Sequence, residues 1–589
     1  MIVPMEKITF IGLETEKEPF LEQLQAVGVA HLIYPHEPIE ALELTKELAR
    51  VTETRKFLSS RSMGEKSEKP LSHRMVCDTR DELARQETRI QAEIAALKKE
   101  IALQEVWGDF RVDDLDALRK KGLHVYFYKV PQKIFEDLPL ENLYYQIVNT
   151  AKGEICFVTV SADPPALNIP EEKIPITSLS DLQERLTVHM EELRKIEEKY
   201  AKLAAHLDTL VASEAELTDL LEYRRAVINA GTELDGRLFI VTCWSPIPEE
   251  DLIQKIGTPF SLYHFTEKPS ENDRVPVLLS NRSMFESGED LVKVYSYPSY
   301  QDFDPSGFVL YCFAVFFGMI VGDAGYGLTL LAVTVLLRKR FGTNTPFASR
   351  FFRLMFLVSF TTIAYGILSA GYFGIRIAPE NPLSRAAFLD FNTKEGQNQI
   401  MILSILFGMV HISLSLIIKF KNTRDYAALG WVPVIWGGYF LVNSRMGKGM
   451  DNPPALYTLI LGFLVVFLFS SKRKNVFLRL LEGLNGLLGV VQIFSDVLSY
   501  LRLFALGIAT VYMAQTFNVL ADNIVQGLSW IGYLLAVPLL FVGHFINLLL
   551  GVMGGVIHGL RLNFLEWYRW CFEGDGLVYR PFRKTIRRD

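Results

Sequence analysis

Long apolar segments confined to the second half of this chain most constrain what it can fold into. They run over 308–337, 351–375, 398–418, 428–444, 455–470, 486–518 and 530–560. Segments of this kind are candidates for crossing a bilayer. Residues 1 to about 305 are instead charge-rich and soluble in character. The mean hydropathy of +0.18 averages two unlike halves, and 589 residues are too many for one hydrophobic core. Met1-Ile2-Val3-Pro4-Met5-Glu6 does not read as a signal peptide. The large amino-terminal half is therefore expected to be cytoplasmic. Five scattered cysteines (Cys77, Cys156, Cys243, Cys312, Cys571) form no metal spacing and no disulfide framework. No cofactor and no nucleic-acid partner are expected.

Charge decides the number of spans. Seven would leave the carboxyl terminus outside, yet that terminus is Arg580-Pro581-Phe582-Arg583-Lys584-Thr585-Ile586-Arg587-Arg588, and the first loop carries Arg338-Lys339-Arg340. Both belong inside by the lysine and arginine bias. Eight spans resolve the conflict if 308–337 is a hairpin turned at Gly322-Asp323-Ala324-Gly325-Tyr326-Gly327, a run with turn chemistry. Arg338–Arg340, Lys419–Arg424, Ser471–Lys474 and the tail then all lie inside, with the loop 376–397 outside. Each arm of the hairpin has about fifteen residues, roughly 22 Å of helix against a ~30 Å hydrocarbon core. Asp323 is thus expected within the outer half of the membrane, as a plain turn residue or as part of an ion path. The last two segments are long enough to demand strong tilt or extension past the membrane.

Within the seventh span lies Ser499-Tyr500-Leu501-Arg502-Leu503-Phe504-Ala505-Leu506. An arginine in an apolar span is costly in lipid and points to the protein interior or a wet cavity. A second arginine, Arg561, ends the eighth span, with His558 one turn before it.

The soluble half reads as two α/β lobes on a rod. Strands are expected at Lys7–Gly12, Ala30–Ile33, Leu123–Lys129, Ile155–Val160 and Phe239–Trp244, with a helix over Glu18–Val27. Leu182, Leu186, His189, Leu193, Ile196, Tyr200, Leu203, Leu207, Leu210, Glu214, Leu217 and Leu221 alternate steps of four and three, the seam of a coiled coil. His189 reads as a polar residue that sets register. The partner helix is expected through Leu83, Ile90, Ile94, Leu97 and Ile101. The expected fold class is an α/β two-lobed cytoplasmic domain joined by an antiparallel coiled coil. An all-α membrane domain of eight transmembrane helices follows, the last two long and tilted. The proximal lobe takes about 1–40 and 230–305, the coiled coil about 41–103 and 177–229, and the distal lobe about 104–176. The spans are expected at about 307–321, 326–338, 351–375, 398–419, 428–444, 455–470, 486–518 and 529–562, before a basic tail at 571–589. No GxxxxGK[ST], HExxH or strand-linked GxGxxG occurs in the soluble half. The chain is therefore expected to hydrolyse no nucleotide itself.

With these marks in order, the chain resembles subunit I of the V/A-type rotary ATPases, the counterpart of subunit a in vacuolar proton pumps. The matching residues are Asp304-Pro305, Phe317-Gly318-Met319 leading into Gly322–Gly327, and Ser499–Leu506. They continue with His558-Gly559-Leu560-Arg561-Leu562-Asn563-Phe564-Leu565-Glu566 and Phe572-Glu573-Gly574-Asp575-Gly576. The resemblance implies a stator subunit in a prokaryotic plasma membrane, forming two ion half-channels against a proteolipid ring. It also implies peripheral-stalk subunits E and G and the central-stalk ring adaptor (the C or d protein) as partners. By the same resemblance Arg502 faces the ring, and Arg561 supports it from the last helix. Family members often carry histidine six residues before the essential arginine, where this chain has Asp496.

Asp496 is the leading candidate for the outer half-channel, ahead of Gln492 and Asp323. His544 and His558, fourteen residues apart, fall almost on one face of the last helix with Asn547 as a further polar position. Glu566 is expected at the cytoplasmic surface, guiding ions to the inner half-channel or simply solvated. A secondary transporter is the main rival, predicting inverted repeats that are not seen between 308–420 and 428–560. A membrane scaffold or receptor would use the rod but leave Arg502 unexplained.

Overall fold

The structure, a computed structural model, describes all residues except 35–38, 62–70, 111, 141–142, 152, 173–176, 258, 271–272, 344, 376–388, 449–452, 472–475 and 586–589. Residues 376–388 of the expected outer loop 376–397, the basic residues at 472–474 and those at 587–588 therefore lie outside the described residues. The chain forms two compact units. One comprises residues 1–11, 29–33 and 241–581; the other comprises 12–28, 34–240 and 582–589.

In the second unit, helices Leu42–Ser59, His73–Gln104, Leu179–Ala204 and Leu207–Asn229 pack side by side. Ser72 and Ser178 cap two of them, each side chain accepting a backbone N–H three residues on. Val51, Leu58, Val76, Leu83, Ile196, Tyr200, Leu203, Leu210 and Leu217 form the core. The inward face is thus the seam read from the sequence, but the helix is interrupted after Ala204. His206, itself buried, precedes the next helix without helical backbone angles. Leu210 is fully buried. Leu210→Ala is expected to cost about 2–5 kcal/mol, seen as a lowered thermal midpoint of the detergent-solubilised protein.

A three-stranded antiparallel sheet in the same unit has the order His124–Pro131, Glu154–Ser161, Tyr144–Ala151. Its centre is Phe157, in ring contact with Tyr128, Phe135 and Tyr145. The edge strand Tyr144–Ala151 was not expected. It shifts register between Ile147 and Asn149 and leaves Tyr144, Tyr145, Ile147 and Val148 exposed, so no clean alternation marks it. Near the carboxyl terminus, Thr585 donates through its backbone N–H and its hydroxyl to the Asp219 carboxylate.

The first unit holds the main sheet, ordered His31–Ile33, Leu238–Ser245, Glu6–Leu13, Tyr263–Glu267. Its helices lie over the apolar segments. Four are long and apolar enough to cross a membrane among the described residues: Pro346–Leu368, Lys394–Thr423, the stretch Leu481–Leu528, and Trp530–Cys571. Ser306–Val321 and Pro453–Phe469 are apolar but shorter. The 351–375 segment ends its helix at Leu368, because Ser369 and Gly371 turn the chain back onto the Gly322 turn.

That turn is a tight helix-to-helix corner. Gly322, at φ +61°, ends Ser306–Val321 in the left-handed region, where glycine is favoured. Asp323 then caps Ala324–Phe341, its carboxylate accepting the Tyr326 N–H at 3.0 Å. Down the last helix, Gly543, Asn547, Gly551, Gly555 and Gly559 recur every four residues and are buried. A Cβ at Gly555 would meet the Phe317 ring at 2.6 Å, so these small residues let the helices approach closely.

Candidate functional site

The site is built where the last two long helices meet. The chain before Arg502 does not run as one uniform α-helix. Gly489–Leu498 and Leu501–Leu528 are joined through Ser499 and Tyr500, and the bonds Tyr500 N–H to Val497, Arg502 N–H to Ser499 and Leu503 N–H to Tyr500 all span three residues. Such a tightened stretch inside a helix is a mark of strain or function.

Its local cause is Tyr500. The fully buried ring fits a notch at Gly408, where a Cβ would approach it to 2.6 Å, and the hydroxyl lies 2.6 Å from His411 Nδ1. His411 is stacked with Phe308 and Trp567. On sequence His411 reads as the member of an interhelical hydrogen bond whose partner is not legible; the partner is the tyrosine two residues before Arg502. Tyr500→Phe is expected to cost about 1–3 kcal/mol by leaving a buried imidazole nitrogen unpaired. The check is thermal unfolding of the purified protein.

The last helix, Trp530–Arg561, passes into a π-turn over Leu562–Trp567. In a continued α-helix, the residue five positions beyond Arg561 would be rotated about 140° away from it. The i to i+5 register of a π-turn instead brings it back over Arg561. Glu566 is that residue. Its side chain is 5% exposed, and Oε1 lies 3.8 Å from Arg502 Nη1 and 3.9 Å from Arg561 Nε. Glu566 was expected at a solvated surface; the π-turn buries it between two guanidinium groups. Arg502 Nη1, Glu566 Oε2 and His558 Nδ1 are all buried without a hydrogen-bond partner among the described residues.

Asp496 forms a second cluster. Gln492 Nε2 donates to Oδ1 at 2.7 Å, Trp570 Nε1 donates to Oδ2 at 2.9 Å, and Arg569 Nη1 stands 3.6 Å from Oδ1. Sequence reasoning missed Arg569 and Trp570, although Trp570 follows Glu566 by one helical turn. Asp496 therefore sits with residues that follow Arg561 in the chain.

A third cluster lies further along. His544 Nδ1 is 2.7 Å from the Tyr326 hydroxyl and its Nε2 is 3.1 Å from Asn518 Oδ1. Asn547 donates to Tyr326 and to the Thr510 carbonyl, both at 2.9 Å. Asn518 stands sixteen residues beyond Arg502, about 24 Å along a helix. Asp323 belongs near this end, since Thr510 donates to Val321 O at 3.2 Å. Asp496 and Asp323, both candidates for the outer half-channel, thus flank Arg502 on opposite sides. Among the described residues no group of His, Cys, Asp and Glu is arranged to hold a metal.

No family model matches the chain. Among curated proteins it is similar to the V-type ATP synthase subunit I of Chlamydia trachomatis, 26% identical over a 666-residue alignment covering 100% of this chain and 99% of that protein. The V-type ATP synthase subunit I of Borreliella burgdorferi is 24% identical over 607 residues, covering 99% of this chain and 100% of the relative. The A-type ATP synthase subunit I of Methanocaldococcus jannaschii is 26% identical over 447 residues, 70% of this chain and 64% of the relative.

Proposed function

We propose that this chain, a membrane protein similar along its length to subunit I of V-type ATP synthases and along most of it to subunit I of A-type ATP synthases, is the membrane stator of a rotary ATPase. The observation that carries the reading is the convergence of Arg502 and Arg561, from two long apolar helices, on one buried carboxylate. Arg502 Nη1 is buried with no hydrogen-bond partner among the described residues, so it has a donor to offer an incoming anion.

In this reading the anion is a carboxylate on each subunit of a proteolipid ring. Facing lipid, that carboxylate must be neutralised by a proton or a bound cation, because an unpaired charge there is costly. At Arg502 the guanidinium, cationic at any working pH, favours the ionised form and releases the ion. The same positive charge bars direct passage between two offset half-channels, so ions cross only as the ring turns. One charge crossing 100 mV corresponds to ~2.3 kcal/mol, so several ions are coupled to each ATP.

Asp496 and Gln492, candidates for the outer half-channel on sequence, are assigned instead to the inner one with His558, on the side of the tail, because Trp570 and Arg569 hold Asp496 there. Tyr326, His544 and Asn547 are assigned to the outer one, with Asp323 holding the turn beside them. The eight-span topology, with amino half and tail inside, belongs to this reading. So does the soluble half as a rod that fastens peripheral-stalk subunits E and G. The central-stalk ring adaptor (the C or d protein) completes the expected partners.

The test is purification of the tagged chain from its native membrane in mild detergent. Recovery of a proteolipid ring, with ATP-driven ion uptake after reconstitution, is the expected result. Recovery of the intact chain without any ring would sink the proposal.

A further inference from the structure

We propose that Glu566 is a resident counter-ion that holds Arg502 between encounters with successive ring carboxylates and gives it up to each incoming one. The inference rests on the reading of Arg502 above and adds a second anion to that site, supplied by the stator itself.

Three observations carry it. Glu566 is buried between the two arginines at 3.8 and 3.9 Å, close enough for strong attraction but beyond hydrogen-bond length. A permanent structural bridge to arginine would use two short parallel bonds; here Arg502 Nη1 and Glu566 Oε2 both lack a hydrogen-bond partner among the described residues. The partnership is therefore loose enough to exchange. Finally, Glu566 reaches this place only because the chain adopts the π-turn over Leu562–Trp567, and π-turns of this type are frequent at functional sites.

The physical need is clear. Arg502 and Arg561 are like charges brought together on an apolar helix pair, and Arg502 cannot shed its proton to relieve them. With no ring carboxylate opposite, it would be both desolvated and repelled. Glu566 lowers the energy of that waiting state. It thereby also weakens the hold of Arg502 on each ring carboxylate, so that the carboxylate can leave as the ring turns. Glu566 is a positioning residue in this scheme and carries no ion itself.

The experiment uses the assembled complex in sealed vesicles, with ATP hydrolysis, ATP-driven ion uptake and passive ion leak measured together. Glu566→Gln is expected to lower hydrolysis and uptake in parallel, by about tenfold if one charge interaction of ordinary strength is lost. KM for ATP, the coupling ratio and the leak should stay as in the parent, and Glu566→Asp should recover most of the rate. Parental turnover in Glu566→Gln, loss of uptake through leak or a fallen coupling ratio, or an aspartate variant as slow as the glutamine one would each overturn the inference. If Glu566→Gln does not assemble, Glu566→Gln/Arg561→Gln, which restores the parental net charge, should do so; failure of that pair also overturns it. Coupled uptake surviving in Arg502→Ala would instead strike the underlying reading.

Discussion

Arg502→Ala is expected to abolish coupled ion transport while the complex still assembles. At the effective dielectric typical of such sites, a charge pair at about 4 Å is worth about 4 kcal/mol, or roughly three powers of ten in the affected step. Alanine removes the only charge that Leu501–Leu528 brings to Glu566, whose other ion-pair partner among the described residues is Arg561. On the proposed reading, the site then has nothing on that helix to favour an ionised ring carboxylate, and nothing to bar a cation from passing straight between the half-channels. ATP-driven uptake in vesicles should fall to background, with hydrolysis either halted or uncoupled from uptake. Arg502→Lys should not rescue it, because a strongly hydrated, point-like ammonium on a flexible stem cannot present the same planar fork. Intact coupled uptake in the alanine variant would refute the assignment.

Gly366→Ala is expected to be among the most damaging single-methyl changes to the fold. A Cβ on Gly366 would overlap the Ala324 nitrogen and lie 2.5 Å from the Asp323 carbonyl carbon. Both are backbone atoms of the turn that Asp323 caps, so no side-chain rotation can make room. The turn is also pinned from its other side: Ala324 N–H donates to Gly371 O at 2.8 Å, and the Ser369 hydroxyl donates to Gly322 O at 3.1 Å. Inserting a methyl into such a contact costs about 1–3 kcal/mol or more. The loss should appear as a lower thermal midpoint and a reduced yield of folded protein. A midpoint equal to that of the parent would show that the corner is not held as tightly as these contacts imply.

Much of this was legible in the residues alone. The Leu182–Leu221 repeat shows which face of its helices is buried, because apolar spacing at three and four reports the side facing a neighbour. Gly322-Asp323 read as a corner because a left-handed glycine and a capping aspartate act through their own local backbone. Arg502 stood out because lipid tolerates no isolated charge. The partners of these residues were another matter. Asp496 and Asp323 were rival candidates for the outer half-channel, yet Asp496 is held by Trp570 and Arg569, whereas Asp323 lies near Thr510 and Tyr326. Sequence distance along one helix says how far apart two residues are, not which other helix arrives beside them.

Glu566 marks the boundary most clearly. By itself the sequence determined that two arginines end up in apolar helices and that each needs an anion. Only the tertiary structure decided that one such anion is already in the chain. An α-helical count turns Glu566 away from Arg561, and nothing in the hydrophobic period announces the single π-turn that brings it back. That turn follows from how the end of the last helix packs, with Trp567 against Phe303, Phe308 and His411. Packing of this kind is a property of assembled helices, so it had no signature in a linear reading.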